Sequence, residues 1–287
     1  MINITTRRRI FPLLYTTLLL LAACSGNNSA PSTSLASADL KDMNRLMEMA
    51  ARSEEKGDNN VAAGLYARAN ALHPQSLQPL LRLAVLFNKM ENFEAAQKTW
   101  QAVLAIAPNH NEAIIGLGNA LLQRGEAMAA RDHFRKYVPP KQAKQNDSRI
   151  WSGLGIALDM LGQHKEAQAS YQQAMASIGS NPMLVNNLAF SYLLSGQLEK
   201  AEQLLRPLCD SPNSSPTARY NLALALALQG KNEESRSVAS IELGGKELDK
   251  NMLRYEALKA RLAQSLTPPP APVAASNKTN KSSKAGK

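Results

Sequence analysis

Hydrophobic and polar positions along the chain repeat in one frame. The clearest unit places Trp151, Leu154, Gly155 and Leu158 at helical spacing, then Gly162, then Ala167, Tyr171 and Ala174. The small residue of this frame recurs at Ala50, Ala84, Gly118, Gly155, Ala189 and Ala223, in steps of 34, 34, 37, 34 and 34 residues. Seven residues after each stands Gly57, Gly125, Gly162, Gly196 or Gly230, with Glu91 as the single departure. A second alanine follows at Ala62, Ala96, Ala130, Ala167 and Ala201, replaced by Ser235 in the last unit. Its large partner four residues on is Tyr66, Trp100, Phe134, Tyr171 or Leu205.

A period of 34 holds two helices of about a dozen residues with short turns. The small residue lets the first helix, A, approach the second, B, closely. The glycine ends helix A in a left-handed conformation that carries no Cβ penalty. The alanine and the aromatic four residues later share one face of helix B. Such a pair cannot bury its apolar face alone, so the units must stack. The pattern predicts an all-α solenoid of six units. Composition agrees: 44% of residues are apolar but only 5% aromatic, which favours helix over sheet.

Before the first unit, MINITTRRR sets three arginines ahead of an uncharged run from Ile10 to Ala23. This is the charged and apolar plan of a secretory signal, and it falls short of the roughly 20 residues that cross a bilayer as helix. Leu21-Ala22-Ala23-Cys24 resembles the bacterial lipobox, which implies cleavage before Cys24 and a lipid on its sulfur. Ser25 follows where an inner-membrane retention signal of the enteric sorting rule would have Asp, so the expected location is the outer membrane, facing the periplasm. With Cys24 lipidated, Cys209 is the only remaining thiol and no internal disulfide can form; its apolar setting reads as core.

The net charge of +10 belongs largely to the ends. Removing Arg7, Arg8 and Arg9, and the tail lysines 278, 281, 284 and 287, leaves +3 on the body. Nucleic acid is therefore not an expected partner. The chain divides into a signal segment over 1–23, a flexible linker over 24–38, a solenoid over 39–247, a capping helix over 248–266 and a disordered basic tail over 267–287. The three extra residues of the third unit fall near 138–147, where Pro139 and Pro140 break helix B; this joint reads as a hinge or a surface loop.

Motifs for catalysis or metal binding are missing. Gly116-Leu-Gly118 and Gly153-Leu-Gly155 lack the third glycine of a dinucleotide loop, with Leu121 and Leu158 in its place, and read as packing glycines. His73, His110, His133 and His164 fall at four different frame positions, so stacking does not gather them around a metal. No hydrolase or nucleotide-binding motif is present, so no enzymatic activity and no cofactor beyond the lipid on Cys24 are expected. A hydrolase using the solenoid as its substrate arm would need a catalytic cluster that the sequence does not offer.

These residues match the tetratricopeptide repeat, a resemblance that implies a right-handed superhelix of about six helix-turn-helix units. In that family helix-A positions line a concave groove. Here they include Asn88, Ile115, Asn119, Leu122, Arg149, Ser152, Asn186, Phe190 and Tyr220, along with Met47, Gln78, Leu81, Val85, Ile156, Met183 and Leu193. Amides among apolar groups suit an extended or helical peptide. The alternative is that Val85, Ile115 and Ile156 pack inside the superhelix. Asn187 and Asn221, two residues before the small residue, read as structural.

The stretch from Asn186 to Ala260 resembles the C-terminal half of the TadD family, repeat lipoproteins of the tight-adherence (Tad/Flp) pilus system. The likeness lies in Asn186-Asn187-Leu188-Ala189, the turn at Gly196, Tyr220-Asn221-Leu222-Ala223-Leu224 and the Asn251-to-Leu258 helix. It implies an outer-membrane lipoprotein that holds a segment of the pilus secretin, or of another Tad component, in its groove. The alternative client is that of a type IVa pilotin-like or protease-adaptor lipoprotein of the envelope.

Overall fold

The computed structural model describes residues 32–138, 147–179, 181–211 and 214–266, and among these it contains thirteen helices and no strand. They pair as the frame requires: α1 (Ser32–Glu55) with α2 (Asn59–Leu72), α3 (Leu77–Lys89) with α4 (Phe93–Ile106), and α5 (Asn111–Gln123) with α6 (Ala127–Tyr137). The last three pairs are α7 (Ser148–Met160) with α8 (His164–Ile178), α9 (Pro182–Leu194) with α10 (Leu198–Cys209), and α11 (Pro216–Leu228) with α12 (Asn232–Ala239). Each helix packs on the next in sequence. From α3 onward each A helix also touches the following A helix, and α13 (Gly245–Leu266) lies against α11 and α12. Contacts are thus between neighbours, as expected of a solenoid. No helix among the described residues is long and apolar enough to cross a membrane.

The same motif turns the chain in all six pairs. In the fourth, the Gly162 amide donates to the Asp159 carbonyl at 3.0 Å and the Gln163 amide to the Leu158 carbonyl at 2.9 Å. This pair of bonds is a Schellman motif, and it needs a left-handed residue between them. Gly162 supplies it at φ 72°. The second pair makes the same two bonds, from Glu91 to Asn88 and from Asn92 to Phe87, yet its left-handed residue is Glu91 at φ 56°. Packing of α3 on α4 holds the turn although its sequence is the wrong one for it.

Close approach explains the glycines within the A helices. A Cβ on Gly118 would stand 2.1 Å from Phe134 Cζ, and one on Gly153 would stand 2.3 Å from the same atom. Phe134 of α6 is therefore clamped between α5 and α7 and is fully buried. Trp100 sits on Gly116, and Tyr171 on Gly155, in the same way. These glycines make room for aromatic rings, as their reading as packing glycines anticipates.

Two boundaries differ from the sequence reading. Residues 32–38, expected in the linker, belong to α1: once α1 is fixed on α2, each added upstream residue gains a hydrogen bond without a new nucleation cost, and the Ser/Ala/Leu composition permits it. The final helix starts at Gly245, three residues before the expected start at Leu248. Cys24, the first part of the linker, the Pro139 joint and the 267–287 tail lie outside the described residues.

Candidate functional site

The A helices place their side chains in a repeating order, so the helix-A face can be followed from unit to unit. Three residues before the small residue stand Met47, Leu81, Ile115, Ser152, Asn186 and Tyr220. One residue after it stand Ala51, Val85, Asn119, Ile156, Phe190 and Leu224. Five after it stand Glu55, Lys89, Gln123, Met160, Leu194 and Leu228.

The face is not uniform in chemistry. Between α1 and α3 a cavity of about 650 Å³ opens, lined by Glu48, Glu54 and Glu55 on one wall and Arg82 and Lys89 on the other. Glu54 accepts a hydrogen bond from the Tyr66 hydroxyl at 3.3 Å and pairs with Lys89 at 3.6 Å. Burial, then the charge of Glu54, pushes the Tyr66 phenol above its ordinary pKa. A second cavity, about 550 Å³, lies between α9, α10 and α11 and is lined by Met183, Asn186, Asn187, Leu208, Ser215 and Thr217, without a charged group.

Of the nine groove residues singled out from sequence, the structure leaves some available and buries others. Asn119 and Arg149 are exposed, and Phe190 keeps 39% of its surface in solvent. Asn88, Leu122, Asn186 and Tyr220 are half-buried. Ile115 and Ser152 are buried at 7% each, and for Ile115 this agrees with the alternative of packing inside the superhelix. Helices α5 and α7 come close across Phe134, which shares one core cluster with Ile115. Val85, for which core packing was the alternative, is exposed, and Ile156 is half-buried.

The polar members are already engaged in part. Asn221 donates from Nδ2 to Asn186 Oδ1 at 3.0 Å, tying α11 to α9, and Asn186 also lines the second cavity. Arg149 makes a two-pronged pair with Asp147, at 3.0 and 2.7 Å, and this holds the Asp147 carboxyl below its ordinary pKa.

Sequence reasoning missed a carboxylate that ties three helices together. Asp159, near the end of α7, accepts from the Ser191 hydroxyl at 2.7 Å and the Tyr171 hydroxyl at 3.1 Å, and pairs with His164 Nδ1 at 2.8 Å. Ser191 and Tyr171 are buried, so the carboxylate joins α7, α8 and α9 beneath the surface. Burial and the charge of Asp159 push the Tyr171 phenol far above its ordinary value. The signal available was an aspartate and a histidine five residues apart across the Gly162 turn. Its third partner, Ser191, comes from the next unit and only stacking reveals it.

Other titratable groups hold the units together. His110 caps α5 by accepting the Ala113 amide, and His133 donates from Nε2 to the Ile114 carbonyl at 2.7 Å, with burial pushing its imidazole pKa down. With His164, three of the four histidines have structural partners. No three metal-ligating groups converge among the described residues. Cys209 is half-buried and unpaired, and burial raises its thiol pKa. Glu202 of α10 reaches the next turn, where Gln229 and Lys231 bond it at 2.7 and 2.8 Å, while Arg206 bonds it from one turn on at 2.8 Å. Burial alone would raise its pKa, but these donors outweigh burial and lower it to about 2.

Comparison with known proteins agrees with this architecture. Residues 46–179 match the family described as the cilia and flagella-associated protein 70 middle TPR-like domain, and residues 182–207 and 216–239 match the tetratricopeptide repeat. Cellulose synthase operon protein C of Pseudomonas fluorescens is 29% identical over 187 residues, covering 63% of this chain and 15% of that protein. The general transcriptional corepressor ssn6 of Schizosaccharomyces pombe is 25% identical over 118 residues, or 41% of this chain and 11% of its own length. The chain thus spans only a small part of these curated relatives.

Among solved structures, one from a functional characterization of Pseudomonas aeruginosa pilF superposes with a TM-score of 0.59 at 15% identity, over 78% of this chain and 99% of that one. PilW, described as a widely conserved type IV pilus biogenesis factor, superposes with a TM-score of 0.60 at 19% identity, over 72% of this chain and 97% of that one. Identities this low establish the fold alone. The 34-residue frame, the six helix pairs and these likenesses give the chain an all-α solenoid of the tetratricopeptide-repeat fold.

Proposed function

We propose that this chain is a lipid-anchored scaffold that supports assembly or localisation of the tight-adherence (Tad/Flp) pilus machinery, by holding a segment of its outer-membrane secretin or of another Tad component. Tetratricopeptide domains bind protein partners, and the fold is typically not enzymatic. The observation that carries the reading is the open helix-A face, where Met160, Met183, Phe190 and Leu194 expose apolar surface beside amide groups. Adjacent exposed apolar groups mark an interaction surface more often than a bare one.

The anchor is Cys24, following Leu21-Ala22-Ala23, and the expected location is the inner leaflet of the outer membrane. Two or more acyl chains, at about 0.8 kcal/mol per buried CH₂, give stable attachment where one chain does not. The resemblance of Asn186 to Ala260 to TadD proteins supports the pilus assignment, and the fold shared with PilW agrees with a part in pilus biogenesis. PilW is described as a type IV pilus biogenesis factor, and this favours a second client, the type IV pilus machinery.

Deleting the gene tests the reading: secretin multimers and surface pili should be lost or reduced, and their persistence at normal levels refutes it. Cys24→Ser should abolish incorporation of labelled palmitate and release the protein from the membrane fraction.

A further inference from the structure

Units stack in one direction, so frame positions that face the preceding unit have nothing to face in the first. The residue just before the small residue shows this. Leu83, Leu117, Leu154, Leu188 and Leu222 stand there in the second to sixth units and are 3–7% exposed, whereas Met49 of α1 is 46% exposed. Val61 of α2 lies at the same end. Its frame counterparts Glu166 and Glu234 reach back to Arg135 and Arg206 of the preceding unit at 2.6 Å each, but Val61 has no unit to reach and is 56% exposed.

A terminal unit ordinarily closes a solenoid with a polar outer face. The first unit presents neither such a face nor one suited to stacking a further unit. Two residues after the small residue, Leu86, Ala120, Ala157, Ser191 and Ala225 are fully buried, while α1 has Arg52 there, exposed. A further unit laid on this end would bury the Arg52 guanidinium unpaired, at high cost.

Charges on α1 are sorted by side. Glu48, Glu54 and Glu55 line the cavity shared with α3. The helical stripe through Met49 instead carries Arg45, Arg52 and Lys56, with Asp42 as its one anion. On α2 the stripe through Val61 carries Arg68 and Leu72 and no anion, and Leu72 is 40% exposed. All four cations are exposed, and their side chains make no hydrogen bond or ion pair among the described residues.

We propose that this end face of the first unit docks on an anionic phospholipid surface; the proposal deepens the lipid-anchored reading above and rests on it. A membrane interface accepts both components of the face at once. Met49, Val61 and Leu72 enter the acyl boundary while the arginines and the lysine extend to the phosphates. Four cations against one anion make a second copy of the same face repel it. Connectivity favours a membrane over an acidic protein: α1 starts at Ser32, eight residues after Cys24, a span of at most roughly 28 Å. Acyl chains on Cys24 therefore keep the face beside the membrane at high effective concentration, where even weak docking persists.

The test uses the chain purified from envelope membranes and reconstituted in vesicles of phosphatidylcholine, with or without phosphatidylglycerol. A fluorophore is attached at Met49→Cys, at Val61→Cys or, as a control, at Met128→Cys, since Met128 is 65% exposed on α6. Cys209→Ala in each chain removes the remaining thiol. Brominated lipid should quench the first two probes in phosphatidylglycerol vesicles and leave the third unquenched. Added salt, or phosphatidylcholine alone, should weaken the quenching.

Each cation removed should weaken docking about fivefold. Arg45→Glu, Arg52→Glu and Lys56→Glu together should therefore abolish the quenching, with palmitate incorporation and the melting curve unchanged. Equal quenching at all three sites, none at Met49→Cys and Val61→Cys, or quenching that survives the triple reversal overturns the proposal. So does disulfide cross-linking of Met49→Cys to its own copy, which would assign the face to a dimer. The anchor is judged separately: palmitate incorporated without quenching discards the docking alone, and quenching without palmitate discards the anchor alone.

Discussion

Glu91 is the one turn residue that works against its own backbone, and Glu91→Gly should stabilise the protein. The residue stands at φ 56° between the two hydrogen bonds of the second unit's Schellman turn. A side chain in this region costs about 1–2 kcal/mol through contact of its Cβ with the following carbonyl. Glycine removes that cost but gives back about 0.5–1 kcal/mol, because its unfolded chain has more freedom to lose. The net gain is about 0.5–1 kcal/mol. Little else changes, since the Glu91 side chain is exposed.

The measurement is urea unfolding followed by Trp100 fluorescence. Trp100 lies in α4 of the same unit and is fully buried, and replacing Trp151 by Phe in both proteins makes it the only tryptophan. A local probe is needed because a solenoid need not unfold in one step. Glu91→Asn should fall between the two, as asparagine tolerates the left-handed region better than glutamate. A lower midpoint for Glu91→Gly than for the parent refutes the reasoning. It would mean that the glutamate side chain contributes more than its conformation costs.

Three further outcomes follow from the packing between units. Gly118→Ala should destabilise by about 1–3 kcal/mol, because its Cβ would overlap Phe134, and Phe134→Leu in the same chain should recover part of the loss; thermal unfolding of the two single variants and the double variant measures this coupling. Asp159→Ala should cost about 1–3 kcal/mol in urea titrations, since it orphans the buried hydroxyls of Ser191 and Tyr171. Glu202 has a folded pKa of about 2, below its ordinary 4.5, so it contributes stability that is fully present above about 4.5 and lost as pH falls toward 2. Unfolding midpoints measured from pH 6 down to pH 3 should therefore fall less steeply in Glu202→Gln than in the parent, and identical slopes would count against the network.

Much of this protein could be read without a structure because its constraints are local and repeated. The glycine of each turn and the alanine–aromatic pair of helix B occur at fixed spacings in nearly every unit, so one unit explains the next. The groove assignment was less secure. Ile115 and Ser152 share a frame position with Asn186 and Tyr220, yet the first two are buried and the last two half-buried. Ile115 shares a core cluster with Phe134 between α5 and α7, a packing that the frame position of one residue does not encode.

The sequence alone determined the number of units, the helix pairing and the turn chemistry, because each depends on side-chain size or backbone freedom within about one period. Tertiary structure decided which helix-A residues remain accessible, where α1 begins, and that Asp159, Tyr171, His164 and Ser191 form one cluster across three helices. It also decided that Met160, Phe190 and Leu194 keep much of their surface in solvent. Those outcomes depend on the distance between stacked units, and no residue type records that distance by itself.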